Sequence, residues 1–172
     1  MSIKKVTITA IIAATYVALC LVMGTLSYGP IQIRVAEVLM ILCIFDDRFI
    51  FPLTLGCFMA NLIGLMMGLN YLTLDIIFGT LATLVSGILM FKLRHIKYKN
   101  REILSMVIPP IINGIIIGIE LVLYTSYAGN ISLFMTYFIY IFIGELLSTL
   151  ILGLCLYRPL KSIATYVSSK EQ

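Results

Sequence analysis

The stretch Tyr28–Glu37, YGPIQIRVAE, separates two apolar runs and carries closely spaced polar side chains. Gln32 follows the Gly29-Pro30 bend. Arg34 and Glu37 lie three residues apart, so they share a face and can pair if helix resumes after the proline. Polar groups near membrane depth are costly and usually functional. This stretch is therefore the first candidate site, and the rest of the chain is interpreted around it.

The composition is that of a polytopic membrane protein. Of 172 residues, 61% are hydrophobic and 12% are charged, whereas a soluble domain carries about 25% charged residues. Six apolar segments are long enough, or nearly so, to span a bilayer. They are residues 5–27, 31–45, 48–67, 71–92, 103–126 and 131–157. We predict an all-α fold of six transmembrane helices that forms a single domain, residues 1–172.

The basic residues predict the orientation. With the N-terminus inside, all of the 12 Lys and Arg residues except Arg34 fall on the cytoplasmic side, as the positive-inside rule requires. Six spans bring the C-terminus back to that side, so both termini are predicted to be cytoplasmic. Because the basic residues lie in short loops, nucleic acid is not an expected partner.

The second apolar segment is short for a membrane crossing. Its fifteen residues, 31–45, reach about 22 Å as an α-helix, less than the hydrocarbon core of about 30 Å. Irregular backbone at this depth is tolerated only beside protein or a cavity. We expect either that the preceding loop dips into the bundle or that neighbouring helices screen the segment. Gln32, Arg34 and Glu37 then face its outer mouth.

The other polar residues of the spans fall at the outer side or at mid-depth. Asn113, Glu120 and Tyr124 share one face of the fifth segment, because they are seven and four residues apart. A one-sided set predicts a pocket open to the outside, for a small neutral or cationic ligand since four carboxylates face one arginine. The candidate residues are Gln32, Arg34, Glu37, Asn61, Tyr71, Asp75, Phe78, Asn113, Glu120, Tyr124 and Glu145.

Several candidates also have a structural interpretation. Arg34 and Glu37 can neutralise each other. Asp75 can cap the fourth helix, and Glu145 can hydrogen-bond across helices. Glu120 is harder to explain by structure alone, because a lone carboxylate in an apolar helix must be paired, protonated or liganded. Tyrosines at the outer ends are typical of an aromatic belt; they are Tyr28, Tyr71, Tyr124 and Tyr127.

Small residues form a stripe on the first segment. Ala10, Ala14 and Ala18 repeat every four residues, a spacing that lets another helix approach closely in lipid. The stripe either packs inside the bundle or contacts a partner. For the similar pairs Gly64-xxx-Gly68 and Gly114-xxx-Gly118 we expect internal packing.

Motifs for catalysis, metal binding and ATP hydrolysis are missing from the sequence. It has no GxxxxGK[ST] loop, no HExxH and no nucleophile set. The four cysteines fall in apolar runs without CxxC spacing, so we expect small buried hydrophobes; they are Cys20, Cys43, Cys57 and Cys155. We therefore expect no enzyme, cofactor or metal site, but a binding subunit whose energy comes from elsewhere.

Five motifs carry a family resemblance over nearly the whole length. They are SYGPIQIRVAEVL (27–39), LGCFMANL (55–62), DIIFGTLATL (75–84), NGIIIGIEL (113–121) and GEL (144–146). In this order and spacing the chain resembles the substrate-binding S components of energy-coupling factor (ECF) transporters, specifically the queuosine-precursor (QueT) family.

The resemblance implies how such a protein works in the bacterial cell membrane. An S component binds one vitamin-like solute from outside, then associates with a membrane coupling protein (EcfT) and two cytoplasmic ATPases, which hydrolyse ATP. The stripe of Ala10, Ala14 and Ala18 matches the family's contact with the coupling protein. The loop between the first two helices serves as a gate in such proteins.

The implied solute is a 7-deazaguanine such as preQ1 or queuine. On this basis Glu120 or Glu37 binds the guanine edge and Asp75 binds the amine. Phe78 and Tyr71 are assigned to ring stacking, and Asn61, Asn113 and Gln32 to the carbonyl side. Two alternatives remain: an S component for another vitamin, or a small secondary transporter or channel that works alone.

Overall fold

The computed structural model describes residues 3–29, 32–94, 101–125 and 129–169. Several predicted features lie outside these residues: Pro30 of the bend, Tyr127 of the aromatic belt, residues 95–100 of the basic loop, and Lys170. Within the described ranges the chain forms helices and their connections only, which confirms the all-α fold.

Six apolar helices follow the predicted segments in order. They are α1 (Ile3–Met23), α2 (Val35–Phe45), α3 (Ile50–Met66), α4 (Asp75–Leu93), α5 (Ile108–Leu123) and α6 (Ile131–Ser169). Short helical pieces precede three of them, namely Thr25–Tyr28, Asp47–Phe49 and Arg101–Met106. All but α2 are long and apolar enough to cross a membrane, when α3 and α5 are counted with the pieces before them. The chain is thus polytopic, and the count of six crossings remains a prediction.

The short helix α2 lies at the centre of the bundle. Val35–Ile41 is a 3₁₀-helix and Leu42–Phe45 is α-helical, so the two together extend about 20 Å at about 2.0 and 1.5 Å per residue. From Ala36 to Ile44 nearly every side chain is buried, and α1, α3, α4 and α6 pack around them. A helix that is buried all round belongs to a core. Both arrangements expected for this segment are observed, because neighbouring helices screen it and the described end of the preceding loop is also buried, with Gln32 1% and Arg34 0% exposed.

Glycines let the other helices approach one another. A Cβ at Gly64 would lie 2.7 Å from the Tyr28 ring, and one at Gly114 would lie 2.9 Å from Phe138 of α6. These contacts confirm internal packing for three of the four paired glycines, Gly118 included. Gly68 differs, because it has φ +70° and no atom within 4 Å of a built Cβ. It ends α3 in a left-handed turn that favours glycine.

Helix α6 continues past the predicted end at residue 157. It extends to Ser169 over 39 residues, or about 58 Å, with a π-helical segment at Leu147–Leu152. The prediction ended with the apolar run. The helix continues because Leu160 and Ala164 bury one face against the bundle, while the Ser168 hydroxyl donates to Asp46 at 2.6 Å.

The two ends of the bundle differ in charge. At one end Lys5 and Arg48 line the same groove, and Arg94 donates to the Phe45 carbonyl at 3.0 Å. At the other end lies Arg34, near the Ser27 carbonyl. This separation agrees with the predicted sidedness, although the orientation in the membrane remains a prediction.

Two predictions about individual side chains are wrong. Cys155 is exposed on α6, whereas Cys20, Cys43 and Cys57 are buried as expected. Tyr28 is not part of an aromatic belt, because it is 5% exposed and donates to the Ala60 carbonyl at 2.8 Å.

Candidate functional site

Arg34 is the centre of a fully buried polar cluster. Its Nη2 forms an ion pair with Asp75 Oδ2 at 3.1 Å and donates to Asn61 Oδ1 at 3.4 Å. Its Nε donates to the Ser27 carbonyl at 3.4 Å. A buried charge is tolerated only when it is paired and hydrogen-bonded, and Asp75 meets that need here.

The helix junction between α3 and α4 positions Asp75. Asp75 is the first residue of α4, and Asn70 of the preceding linker donates to its Oδ2 at 2.9 Å. Asn61 of α3 donates to its carbonyl at 2.8 Å. Gly79 provides the space, since a Cβ there would lie 2.5 Å from Asp75 Oδ1. We call Arg34, Asn61, Asn70 and Asp75 the Arg34 cluster. In it Asp75 is a counter-ion, and the N-cap position of α4 is Leu74, which makes no side-chain capping bond.

Glu37 does not form an ion pair with Arg34, which pairs with Asp75, so the alternative interpretation in which Arg34 and Glu37 neutralise each other is wrong. Helix resumes only at Val35, and Arg34 before it has φ −91° and ψ 83°, which is not helical. The two side chains therefore do not share a helix face. Glu37 Oε1 instead accepts from the Tyr16 hydroxyl of α1 at 2.6 Å and, at 3.5 Å, from Thr83 of α4.

A second polar group lies on one face of α5 and reaches α6 through Asn113. The Asn113 side-chain amide donates to Glu145 Oε2 at 2.5 Å, and Glu120 lies two turns further along α5. All three residues are 0% exposed. Asn113 Oδ1, Glu145 Oε1 and both oxygens of Glu120 have no hydrogen-bond partner among the described residues. We call Asn113, Glu120 and Glu145 the α5–α6 face.

The two polar groups adjoin each other in the interior. Glu120 is within electrostatic range of Asp75 and Arg34, and Glu145 is within range of Glu37 and Arg34. Arg34 is already balanced by Asp75. The other three buried carboxyl groups, those of Glu37, Glu120 and Glu145, form no ion pair in the described part of the chain. This arrangement suits a ligand that donates hydrogen bonds or carries positive charge.

The remaining candidates occupy different environments. Gln32 is 1% exposed, and its Oε1 lacks a partner within the described ranges. Phe78 is half-buried on α4. Tyr124 is 44% exposed, and its hydroxyl bonds to Thr73 and to the Leu74 amide. Tyr71 is 79% exposed and lies outside the buried set.

Three polar partners were missed by sequence reasoning. Tyr16 lies in the middle of an apolar span, and a tyrosine there signals a buried hydrogen bond because belt tyrosines lie at the ends. Thr83 follows Asp75 by eight residues and so lies on the same helix face. Asn70 offered no comparable signal.

The alanine stripe is exposed along α1. Ala10, Ala14 and Ala18 all face outward, while Ala13 and Tyr16 belong to the buried face. Packing of the stripe inside the bundle is therefore wrong. The stripe remains available to a partner helix.

Together the fold and the buried carboxyl groups define a multi-pass membrane protein with an interior polar site, a class that includes transporters. A family model described as "QueT transporter" matches residues 6–162, and the chain belongs to this family of the bacterial cell membrane. It is also similar to the "Queuosine precursor transporter QueT" of Lactococcus lactis subsp. cremoris (strain MG1363), with 42% identity over 87 residues. That match covers 48% of each chain, so the chain spans about half the length of this relative. No solved structure matches the chain.

Proposed function

We propose that the protein is the substrate-binding S component of an ATP-driven ECF importer and that it captures a queuosine precursor from outside. Family membership and the name of the Lactococcus relative, a queuosine precursor transporter, support the substrate class. The precursor is a 7-deazaguanine such as preQ1 or queuine, and residues 1–172 act as one binding domain without catalysis of its own.

The observation that carries this proposal is Glu120. Its carboxyl group is fully buried, and neither oxygen has a partner in the described ranges. A guanine-like edge offers an N1–H and an exocyclic amine side by side, which suit the two oxygens of a carboxylate. Burial of a lone carboxyl group without such a partner is costly.

The Arg34 cluster changes the assignment of the other acids. Asp75 Oδ1 lacks a hydrogen-bond partner among the described residues, but Oδ2 accepts from Arg34 and Asn70 and the charge of this acid is neutralised by Arg34, so we assign the ligand's amine elsewhere. Glu37 Oε1 accepts from Tyr16, and only Oε2 of that carboxyl group lacks a partner among the described residues. We therefore assign the guanine edge to Glu120 rather than to Glu37.

The outer surface of the bundle supports the proposed partners. The exposed stripe of Ala10, Ala14 and Ala18 offers a smooth face on α1, where a helix of the membrane coupling protein EcfT can pack closely. Two cytoplasmic ATPases supply the energy. We place the basic end and both termini in the cytoplasm. In this topology α2 also crosses the membrane, which brings the number of crossings to six.

Isothermal titration of the purified chain tests the substrate. We expect preQ1 or queuine to bind more tightly than guanine. Glu120→Gln should weaken binding by about 1.5–3 kcal/mol, about 10- to 150-fold, through loss of a charge-assisted contact. Glu102→Gln is the control. It makes the same chemical change in the short helix Arg101–Met106, outside the proposed site, and should leave affinity unchanged. Absence of binding to any deazapurine would reject the substrate; riboflavin, folate, thiamine and biotin then test another vitamin.

Reconstitution in liposomes tests the S-component role. The protein alone should bind the precursor without accumulating it, and accumulation should require the coupling protein, the ATPases and ATP. Accumulation by the protein alone would instead establish a stand-alone secondary transporter or channel.

A further inference from the structure

We propose that the α5–α6 face contains two separate acceptor subsites and that the one formed by Asn113 and Glu145 binds a positively charged amine. The protein then selects cationic 7-deazaguanines over neutral ones. This inference rests on the proposed function, because it takes Glu120 as the subsite for the guanine edge.

A hydrogen bond between Asn113 and Glu145 connects α5 with α6. A carboxylate only accepts, so the Asn113 amide must turn its nitrogen toward Glu145 Oε2. The remaining oxygens of these two bonded side chains, Asn113 Oδ1 and Glu145 Oε1, are both without a partner among the described residues. Two acceptors without a donor suit a group that only donates, and an ammonium group is such a group.

The described ion pairs do not include Glu145. Arg34 and Asp75 form an ion pair, and the only other described ion pair lies at the basic end, between Arg48 and Asp46. The carboxyl group of Glu145 therefore has no counter-ion in the described part of the protein. A buried carboxylate is costly unless it is paired. A cationic amine of the ligand would provide the missing positive charge.

The separation of the two subsites matches the length of one ligand. Asn113 and Glu120 lie seven residues apart on α5, or about 10 Å along the helix axis. Two fused rings with an aminomethyl arm have a comparable length. A single 7-aminomethyl-7-deazaguanine can therefore place its two-donor edge at Glu120 and its ammonium group at Asn113 and Glu145.

A purely structural hydrogen bond between α5 and α6 makes a different prediction. In that case Glu145 stays protonated, and the charge of the ligand's arm has no effect on affinity. Glu145 supports the fold in both cases. Only an amine-binding role makes affinity depend on the charge of the ligand's 7-substituent.

The test compares three ligands with one ring system by isothermal titration of the full chain. They are 7-aminomethyl-7-deazaguanine, its neutral 7-cyano analogue, and 7-deazaguanine without an arm. We expect the aminomethyl ligand to bind at least tenfold more tightly than the cyano ligand. Glu145→Gln should reduce this ratio to near one, and Glu145→Asp, which keeps the charge, should retain most of it.

Glu120→Gln is the matched control. It should weaken all three ligands to a similar degree and leave the ratio between them unchanged. Equal affinity of the wild-type protein for the aminomethyl and cyano ligands would overturn the inference, as would an unchanged ratio in a folded Glu145→Gln variant. If none of the three ligands binds, the proposed function itself fails. If Glu145→Gln does not fold, equal wild-type affinities for the aminomethyl and cyano ligands still overturn the inference.

Discussion

The Arg34 cluster and the α5–α6 face both bury amide and carboxyl side chains, but only the cluster contains a cation. In the cluster the guanidinium has Asp75 as counter-ion. Asn70 donates to that carboxylate, and Asn61 accepts from Arg34 and donates to the Asp75 backbone carbonyl. On the face, Glu120 has no partner among the described residues. Buried polarity alone therefore does not identify a binding site. We propose that the balance of charge does. Asp75 Oδ1 also lacks a hydrogen-bond partner among the described residues, but Arg34 neutralises that acid, whereas neither Glu120 nor Glu145 forms an ion pair within the described ranges.

Removing the counter-ion of Arg34 should have the largest effect. Asp75→Asn leaves a fully buried guanidinium without its ion pair, and such a change costs about 3–5 kcal/mol of stability. Thermal unfolding in detergent should show a large fall in midpoint. The double variant Arg34→Met with Asp75→Leu should recover much of this loss. Equal stability of Asp75→Asn and wild type would contradict a structural role for the pair.

The hydrogen bond from Tyr16 to Glu37 should come next. Tyr16→Phe removes a 2.6 Å bond to a carboxyl group, and loss of a bond to a charged group costs about 1.5–3 kcal/mol. Tyr28→Phe is the matched control, because its 2.8 Å bond goes to the neutral Ala60 carbonyl and contributes about 0.5–1.5 kcal/mol. Chemical unfolding should rank the two variants in this order, and the reverse order would contradict it.

Crowding the Arg34 cluster should have a comparable or smaller effect. In Gly79→Ala the new methyl group would lie 2.5 Å from Asp75 Oδ1 and 2.7 Å from Asn61 Nδ2, an overpacking that costs about 1–3 kcal/mol. Gly87→Ala lies two turns further along α4, where the nearest atom, Ile50 Cγ2, is 3.3 Å away. A thermal midpoint that falls equally in both variants would mean that the cluster is not specifically sensitive.

The bond from Ser168 to Asp46 should have the smallest effect, because this site is only partly buried. Ser168→Ala should cost about 0.5–1.5 kcal/mol at neutral pH. Partial burial raises the pKa of Asp46, but the Ser168 hydroxyl and the Arg48 amide outweigh it and lower the pKa below the usual value. The contribution is therefore present above the unfolded-state pKa and lost as pH falls through the folded-state pKa. A stability difference that persists in acid would contradict this.

Sequence reasoning predicted the helices and most of the buried polar residues, because hydropathy and spacing report directly on both. It did not predict which acid pairs with Arg34. Asp75 is 41 residues away, and the choice depends on the room that Gly79 leaves and on where helix resumes. Nor did it predict the length of α6, because residues 158–169 are amphipathic and are stabilised by packing that hydropathy does not measure.

A crystal structure with bound 7-aminomethyl-7-deazaguanine tests the central claim most directly. We predict that the edge of the ring lies within about 3 Å of the Glu120 carboxylate and that the Arg34–Asp75 ion pair remains intact. A ligand that displaces Asp75 from Arg34, while Glu120 stays without a partner, would contradict the division of the interior into a structural cluster and a ligand-binding face.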